Sequence, residues 1–353
     1  MAVKPTFDQM AHRGTPRRQP SVVSSDNSCR PPATALPFIE GGQGTDLRVS
    51  PAVFRVVVIM SVIHPIVAVT GSSGAGTSTA RTAFEHIFHR LHVKAAFVDG
   101  DAFHAYSRPE MAKAVRRATI RGENFSHFGP SANVLDRLEA LFAEYSVSGT
   151  GETRRYLHDE IEAAEFDREP GTFTDWEPIE PDTELLLYEG LHGGAVTDQI
   201  DVAQHVDLMV GVVPTINLEW IQKIRRDIDV RGYAPEDVAK VILRRMPDYV
   251  RYITPQFSRT DVNFQRVPLV DTSNPFVARD VPNADESMVV IRFRDPNRWA
   301  VDFPYLLTMI HGAFMSRPNT VVVPGTKMRM AIEIIIGPII RRLLEQREAA
   351  LSR

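Results

Sequence analysis

The stretch HPIVAVTGSSGAGTST, His64 to Thr79, constrains this chain more than any other. Ile66 to Thr70 is a short apolar run with β-branched members and reads as a buried strand. Gly71, Gly74 and Gly76 follow as a glycine-rich turn, and a helix is expected to open near Thr77. Strand, glycine turn and helix N-terminus together form an anion cradle, because glycine lets successive backbone N–H groups converge on one phosphate. The spacing Gly71-x-x-x-x-Gly76, with Ser78 two residues on, is that of a P-loop. Gly71, Ser72, Ser73, Gly74, Ala75, Gly76, Thr77, Ser78 and Thr79 are therefore candidate nucleotide-binding residues. Thr77 stands where the motif carries lysine, so a cation must come from elsewhere in the chain. The competing reading is an ordinary tight strand-to-helix turn.

The rest of the pattern is consistent with an α/β protein. After α-helical spacing through Phe84, Ile87, Phe88 and Leu91, a second strand is expected at Lys94 to Asp99. Helices are expected at 109–121, 132–145, 215–230 and 235–250, and strands at 185–190, 207–213, 267–270 and 288–293. A long helix from Met328 to about Gln346 carries Gly337-Pro338, a predicted kink. Strands alternating with helices predict a doubly wound, mostly parallel sheet of the P-loop nucleoside-triphosphate hydrolase type, spanning 61–350. Residues 1–60 are rich in Pro, Ser, Arg and Gly and are expected to be a disordered leader. A targeting segment is one alternative, and translation starting at Met60 is another.

Bulk composition removes several classes of function. The formal net charge is −4, which argues against bulk nucleic-acid binding or attraction to a membrane surface. Val56 to Met60 is too short an apolar run to span a bilayer. Cys29 is the sole cysteine, so no intrachain disulfide can form, and a reducing, cytoplasmic setting is the simplest reading.

Phosphoryl transfer needs a phosphate cradle, a metal, an orienting base and cations for the transition state. Asp101 follows the second strand, where open parallel sheets present their ligand crevice, and is a candidate base; a helix cap is its bland alternative. Glu189 ends the strand Leu185 to Gly190 and, with Ser78, is a candidate Mg²⁺ ligand. His104 and Arg108 are placed to grip an anionic substrate. Lys223, Arg226, Asp227 and Arg231 lie along one predicted helix, where a solvated salt-bridged face is the alternative.

Taken together, these residues resemble the bacterial phosphoribulokinase family. GSSGAGTST at 71–79, with threonine in the lysine position, is similar to that family's nucleotide loop. So are DAFH at 101–104, FSHF at 125–128, FTDW at 173–176, YEGLHG at 188–193, NLEWIQKI at 217–224, VDTSNPF at 270–276 and DFPYLLTMIHG at 302–312. The match covers about 63–349. The threonine argues against the related uridine and pantothenate kinases, which keep the lysine. Lys113 stands one position from where the family carries a lysine.

The resemblance implies ATP- and Mg²⁺-dependent phosphorylation of D-ribulose 5-phosphate at its C1 hydroxyl, the step that supplies the carbon-dioxide acceptor in the Calvin cycle. It implies Asp101 as general base and Glu189 as the metal–nucleotide carboxylate. Lys223, Arg226, Asp227 and Arg231 would form the active-site helix, and His104, Arg108 and Arg231 would hold the sugar phosphate. It further implies a homo-oligomer, commonly an octamer, activated by NADH and inhibited by AMP, with Arg90, Arg292, Arg294 and Arg317 as candidate effector cations. Lys223 or Arg226 is expected to replace the missing loop lysine. The alternatives are a nucleoside or pantothenate kinase, and a nucleotide-binding regulatory protein without catalysis.

Overall fold

The computed structural model describes residues 63–353 except Ser73, Gly74, Val230, Arg231, Tyr233 and Arg279. The expected leader, the start at Met60, and the expected roles of Ser73, Gly74 and Arg231 fall outside the described residues.

The chain opens with β1 (Ile66–Gly71), α1 (Thr77–Leu91), β2 (Ala95–Asp99), α2 (Arg108–Ile120) and α3 (Leu135–Ser148). A small excursion follows: β3 (Glu152–Thr153), α4 (Glu160–Glu165) and β4 (Glu177–Pro178), with β3 and β4 paired antiparallel. Then come β5 (Leu185–Gly190), β6 (Leu208–Val213), α5 (Ile216–Asp229), α6 (Pro235–Asp248) and β7 (Val262–Pro268). The last part holds β8 (Ser287–Phe293), α7 (Phe303–Met309), β9 (Phe314–Arg317), β10 (Thr320–Pro324) and α8 (Met328–Leu351).

Eight strands form one sheet in the order β2-β5-β1-β6-β7-β8-β10-β9. From β2 to β7 the pairs are parallel. From β7 through β8 and β10 to β9 they are antiparallel. The sheet is thus mostly parallel, as expected.

Strand periodicity explains how two layers grow on β1. Val67 and Val69 pack on one face with Phe84 and Ile87 of α1 and Ile332, Ile336 and Ile340 of α8. Ile66 and Ala68 pack on the other with Leu138, Phe142 and Tyr145 of α3. Both faces of β1 are buried, so the strand reads as a continuous apolar run. Each large apolar side chain removed from water contributes about 1.5–3 kcal/mol.

The amino ends of the central strands are tied by carboxylates. Asp207 accepts the Ile66 N–H at 2.8 Å, a contact spanning 141 residues. Asp261 accepts the Met209 N–H at 2.9 Å and is bracketed by Arg294 at 3.0 Å and Arg298 at 2.6 Å. Burial pushes the Asp207 carboxyl up to about 7, against the opposing pull of the Ile66 N–H and Arg298.

Several expected boundaries are corrected. The strand expected at 267–270 is β7, Val262–Pro268. Its alternation is masked because Asn263 is buried, seated against Gly211, which leaves room for it. The helix expected from Ala132 begins at Leu135, after a 3₁₀ turn at Pro130–Ala132. The helix expected to Val250 ends at Asp248 and widens into a π turn, Tyr249–Ile253. Pro247 has no N–H to offer the preceding turn, which accounts for the change. Helix α8 continues through Pro338 to Leu351, five residues beyond the expected end.

Candidate active site

The glycine turn leaves β1 at a point where only glycine fits. A Cβ at Gly71 would lie 2.5 Å from the Val212 carbonyl oxygen of the neighbouring strand. Gly76 caps α1 with φ 108°, a left-handed conformation that disfavours side chains. The Ala75 N–H donates to the Ser72 carbonyl at 3.0 Å and closes the turn. The first turn of α1 carries no acidic side chain. No carboxylate of α1 itself therefore offsets the helix dipole at the turn.

Three parallel strands end together beside this turn. In their register Asp99 of β2 lies across from Glu189 of β5, and Glu189 lies across from Val69 of β1. The close approach depends on two more glycines. A Cβ on Gly100 would fall 2.7 Å from the Gly190 Cα, and one on Gly190 would fall 2.6 Å from the Gly100 Cα. Asp99 caps a 3₁₀ turn, Gly100–Phe103, by accepting the Asp101 N–H at 2.9 Å. Asp101 is thus the capped residue, not the cap.

Charge crowds at this corner. Burial raises the Asp99 carboxyl, and the charge of Asp101 raises it further. Burial also raises Glu189, helped by Asp99 and Asp101 and opposed by the nearby Thr77 hydroxyl. Asp101 behaves differently. Burial works against its charge, but the hydrogen bond and positive charge of His104 outweigh burial and hold the carboxyl below its ordinary value.

His104 Nε2 lies 3.2 Å from Asp101 Oδ1. Burial disfavours the imidazolium, yet the bond to Asp101 outweighs it and raises the ring's affinity for a proton. The other ring nitrogen, Nδ1, lies 2.8 Å from Oδ1 of Asn133. The His127 ring stands 4.1 Å away, centre to centre, and burial brings His127 down to about 3. His158 Nε2 is 3.8 Å from the other Asp101 oxygen. Arg108 donates to the His158 carbonyl at 2.7 Å. Arg154 holds the 3₁₀ turn in place, donating to the carbonyls of Ala102 at 2.8 Å and His104 at 2.7 Å while lying over Phe173 and Trp176.

The cations lie on α5, which follows β6, the strand paired with β1. Glu219, Lys223 and Asp227 recur every four residues and share a face. Lys223 Nζ sits 2.5 Å from Asp227 Oδ2, and Arg226 Nε 3.6 Å from Oδ1. Asp227 is buried, so its charge requires such partners. Burial lowers the Lys223 pKa while the Asp227 bond opposes that change. At the loop end of this face, burial pushes Glu219 up to about 7, and the Ser72 hydroxyl opposes the rise. The Ser72 hydroxyl is buried without a formed hydrogen bond and faces Glu219 as an electrostatic contact. Arg245 of α6 acts on Glu219, Lys223 and His127 alike, which links the α5 face to the histidines.

Asp101, His104, Glu189 and Thr77 are therefore brought to one corner, and Arg108 reaches it through His158. Lys223, Arg226 and Asp227 form a second group tied to the loop through Glu219. Thr77, rather than Ser78, meets Glu189; Ser78 is exposed on the first turn of α1. Among the candidate effector cations, Arg294 is engaged with Asp261, whereas Arg292 and Arg317 flank Thr320 on neighbouring strands. The sequence reading missed Glu219, Asn133 and Arg154. Glu219 was legible as the residue four before Lys223; the other two depend on distant pairing.

The corner fits a magnesium–nucleotide. Among the described residues, no three His, Cys, Asp or Glu side chains converge to hold a metal unaided. Magnesium bound with nucleotide needs only one or two protein carboxylates, since phosphate oxygens complete its shell. Glu189, crowded by like charge, and the hydroxyls of Thr77 and Ser78 suit that arrangement.

A mostly parallel sheet whose first strand turns through glycines into a helix, with carboxylates and cations gathered beside that turn, is the framework of an α/β small-molecule kinase. A family model described as Phosphoribulokinase / Uridine kinase family matches residues 66–273. The chromosomal phosphoribulokinase of Cupriavidus necator is 58% identical over 292 residues, covering 82% of this chain and 99% of its own. The phosphoribulokinase of Rhizobium meliloti is 57% identical over 288 residues, covering 82% and 99%. A solved phosphoribulokinase from Rhodobacter spheroides superposes with a TM-score of 0.76 at 52% identity, over 82% of this chain and all of that one. The chain belongs to the phosphoribulokinase / uridine kinase family, and it is a kinase. Among the described residues no helix is long and apolar enough to cross a membrane.

Proposed function

We propose that this kinase transfers the γ-phosphoryl group of ATP to the C1 hydroxyl of D-ribulose 5-phosphate, giving ribulose 1,5-bisphosphate and ADP, the Calvin-cycle step that makes the carbon-dioxide acceptor. The observation that carries this reading is the Asp101–His104 pair at the strand ends beside the glycine turn. Relatives named phosphoribulokinase, 57–58% identical over nearly their whole length, support this choice of acceptor.

In this mechanism the glycine turn and the N-terminus of α1 bind the nucleotide phosphates. Glu189, with Thr77 and Ser78, would hold Mg²⁺, which neutralises charge on the phosphate oxygens when bound. Asp101 accepts a hydrogen bond from the C1 hydroxyl and orients its oxygen toward the γ-phosphorus. A new oxygen–phosphorus bond forms, and the bond from the γ-phosphorus to the bridging oxygen breaks with its electron pair leaving on ADP. The hydroxyl proton passes to Asp101. A carboxylate held ionised by His104 suits an orienting role, since the proton leaves late in a loose transition state. Lys223 and Arg226 stand in for the missing loop lysine, and Arg108 and Arg231 bind the 5-phosphate; His104, expected there as well, has both ring nitrogens engaged by Asp101 and Asn133. A cytoplasmic homo-oligomer responding to NADH completes the reading.

The test is ADP formation by purified protein with MgATP and, in parallel, ribulose 5-phosphate, uridine or pantothenate, with and without NADH. Ribulose 1,5-bisphosphate appearing only with the pentulose phosphate supports the reading. Turnover of another acceptor, or nucleotide binding with no turnover, overturns it.

A further inference from the structure

Asn133 has no part in the chemistry above, yet it makes more hydrogen bonds than any other side chain touching His104. It is buried, at 8% exposure. Backbone pairing delivers it there. The Val134 N–H donates to the Phe103 carbonyl at 2.8 Å and the Ala105 N–H to the Ala132 carbonyl at 2.9 Å. Residues 104 and 133 consequently face each other across an antiparallel bridge.

The Asn133 amide can lie only one way round. Its Nδ2 is 2.9 Å from the His127 carbonyl oxygen and 2.8 Å from that of Gly129. Both of its N–H bonds are used there. Turned over, its oxygen would face two carbonyl oxygens with no proton between them. His192 Nε2 is 3.0 Å from the same His127 carbonyl and 3.1 Å from Asn133 Nδ2. With the Asn133 N–H groups engaged, His192 also donates to that carbonyl. Burial brings His192 down to about 4, so it does so as a neutral ring. The Asn133 oxygen thus meets His104 Nδ1, and that nitrogen must carry a proton.

We propose that Asn133 is a positioning residue that fixes His104 in its Nδ1–H form, so that every proton His104 gains or loses is at Nε2, the nitrogen facing Asp101. In the charged ring Nε2–H donates to Asp101. In the neutral ring Nε2 turns a lone pair toward a carboxylate and has nothing to donate. The alternative neutral tautomer, which would keep the bond to Asp101, is closed off. Asp101, Asp99, His158, His127, His192 and Tyr156 are the other titratable groups around this ring, and Asp101 is the one bonded to Nε2. The consequence for the reaction rests on the function proposed above, whereas the tautomer itself does not.

The experiment is a pH titration of imidazole nitrogen resonances in full-length protein labelled with nitrogen-15 histidine, assigned with His104→Gln. In the wild type, His104 Nδ1 stays protonated throughout and only Nε2 titrates. In Asn133→Ala, the neutral ring shows both nitrogens partly protonated, and His104 loses its proton at lower pH. In the assay, Asn133→Ala lowers kcat roughly 10- to 100-fold, by analogy with loss of the partner that orients a metal-bound histidine. The KM for ATP stays near wild type, and the basic limb of the kcat–pH profile shifts. A wild-type His104 whose neutral form leaves Nδ1 bare overturns the proposal without any variant. So does a folded Asn133→Ala with an unchanged His104 spectrum. Absence of turnover with every acceptor would fall on the functional reading alone, because the spectra need no substrate.

Discussion

Lys223 Nζ and Asp227 Oδ2 lie 2.5 Å apart on consecutive turns of α5, a partly buried ion pair on the face that begins at Glu219 beside the glycine turn. Burial lowers the Lys223 pKa, and the Asp227 carboxylate opposes that change. A cation so held can serve the transferring phosphoryl group without reorganising. Lys223→Met is expected to lower kcat about 100- to 1,000-fold, the range for removing one preorganised donor to transition-state charge. The KM for ATP should change little, since the contribution is made in the transition state. Steady-state kinetics at saturating pentulose phosphate would show it; an unchanged kcat removes Lys223 from the mechanism.

Asp101→Asn keeps the shape of the corner and removes its charge. The expected loss in kcat is about 100- to 10,000-fold, the usual range for a positioned base. Nucleotide binding should persist, because the glycine turn and α1 do not depend on Asp101. A fluorescent ATP analogue measured alongside turnover separates the two effects. A near-normal rate would reduce Asp101 to a structural partner of His104.

Gly71→Ala places a methyl group against the Val212 carbonyl, backbone on backbone, where no flexible side chain can yield. Strand β1 must shift from β6 just where the nucleotide turn begins. The expected cost is about 1–3 kcal/mol of folding stability, with ATP affinity lost as well. Urea unfolding and ATP titration of the same preparation would check both. An alanine variant of normal stability and affinity would show that β1 and β6 can part without harm.

Asp207 gives a pH dependence of stability with a defined sign. Its folded-state carboxyl is raised to about 7, against an ordinary value of 3.8. Between those values the folded chain holds a proton that the unfolded chain has released. The stabilising contribution is complete below the ordinary value, declines as pH rises, and is gone above about 7. Asp207→Asn still accepts the Ile66 N–H but has no proton to lose. Its melting temperature should fall less than that of the wild type between pH 5 and 7. Parallel slopes for the two proteins would contradict this.

Features encoded within a short stretch were legible before any coordinates. The apolar run of β1 is buried on both faces, so its burial shows without periodicity. The glycine spacing announces the turn. The face of α5 is local too: of the apolar positions Ile221, Ile224 and Ile228, the first two are buried, and Lys223, Arg226 and Asp227 fall at offsets of three and four. The hidden parts depend on partners far along the chain. Strand β7 was misplaced because its buried Asn263 makes sense only beside Gly211, fifty-two residues earlier. The β9–β10 hairpin went unseen because its exposed edge offers no clean alternation. Asn133 looks like an ordinary turn asparagine until a bridge sets it against His104. Arg154 reads as a surface cation until two carbonyls of a turn fifty residues away receive it.

Gly100 and Gly190 touch through bare backbone at the ends of β2 and β5. Neither position can acquire a side chain alone, because the opposing strand would have to move in the same step. The corner bearing Asp101 and Glu189 is therefore closed to gradual remodelling. Any drift of this scaffold toward a different acceptor has to proceed through side chains around the corner, such as His158, while the two strand ends stay as they are.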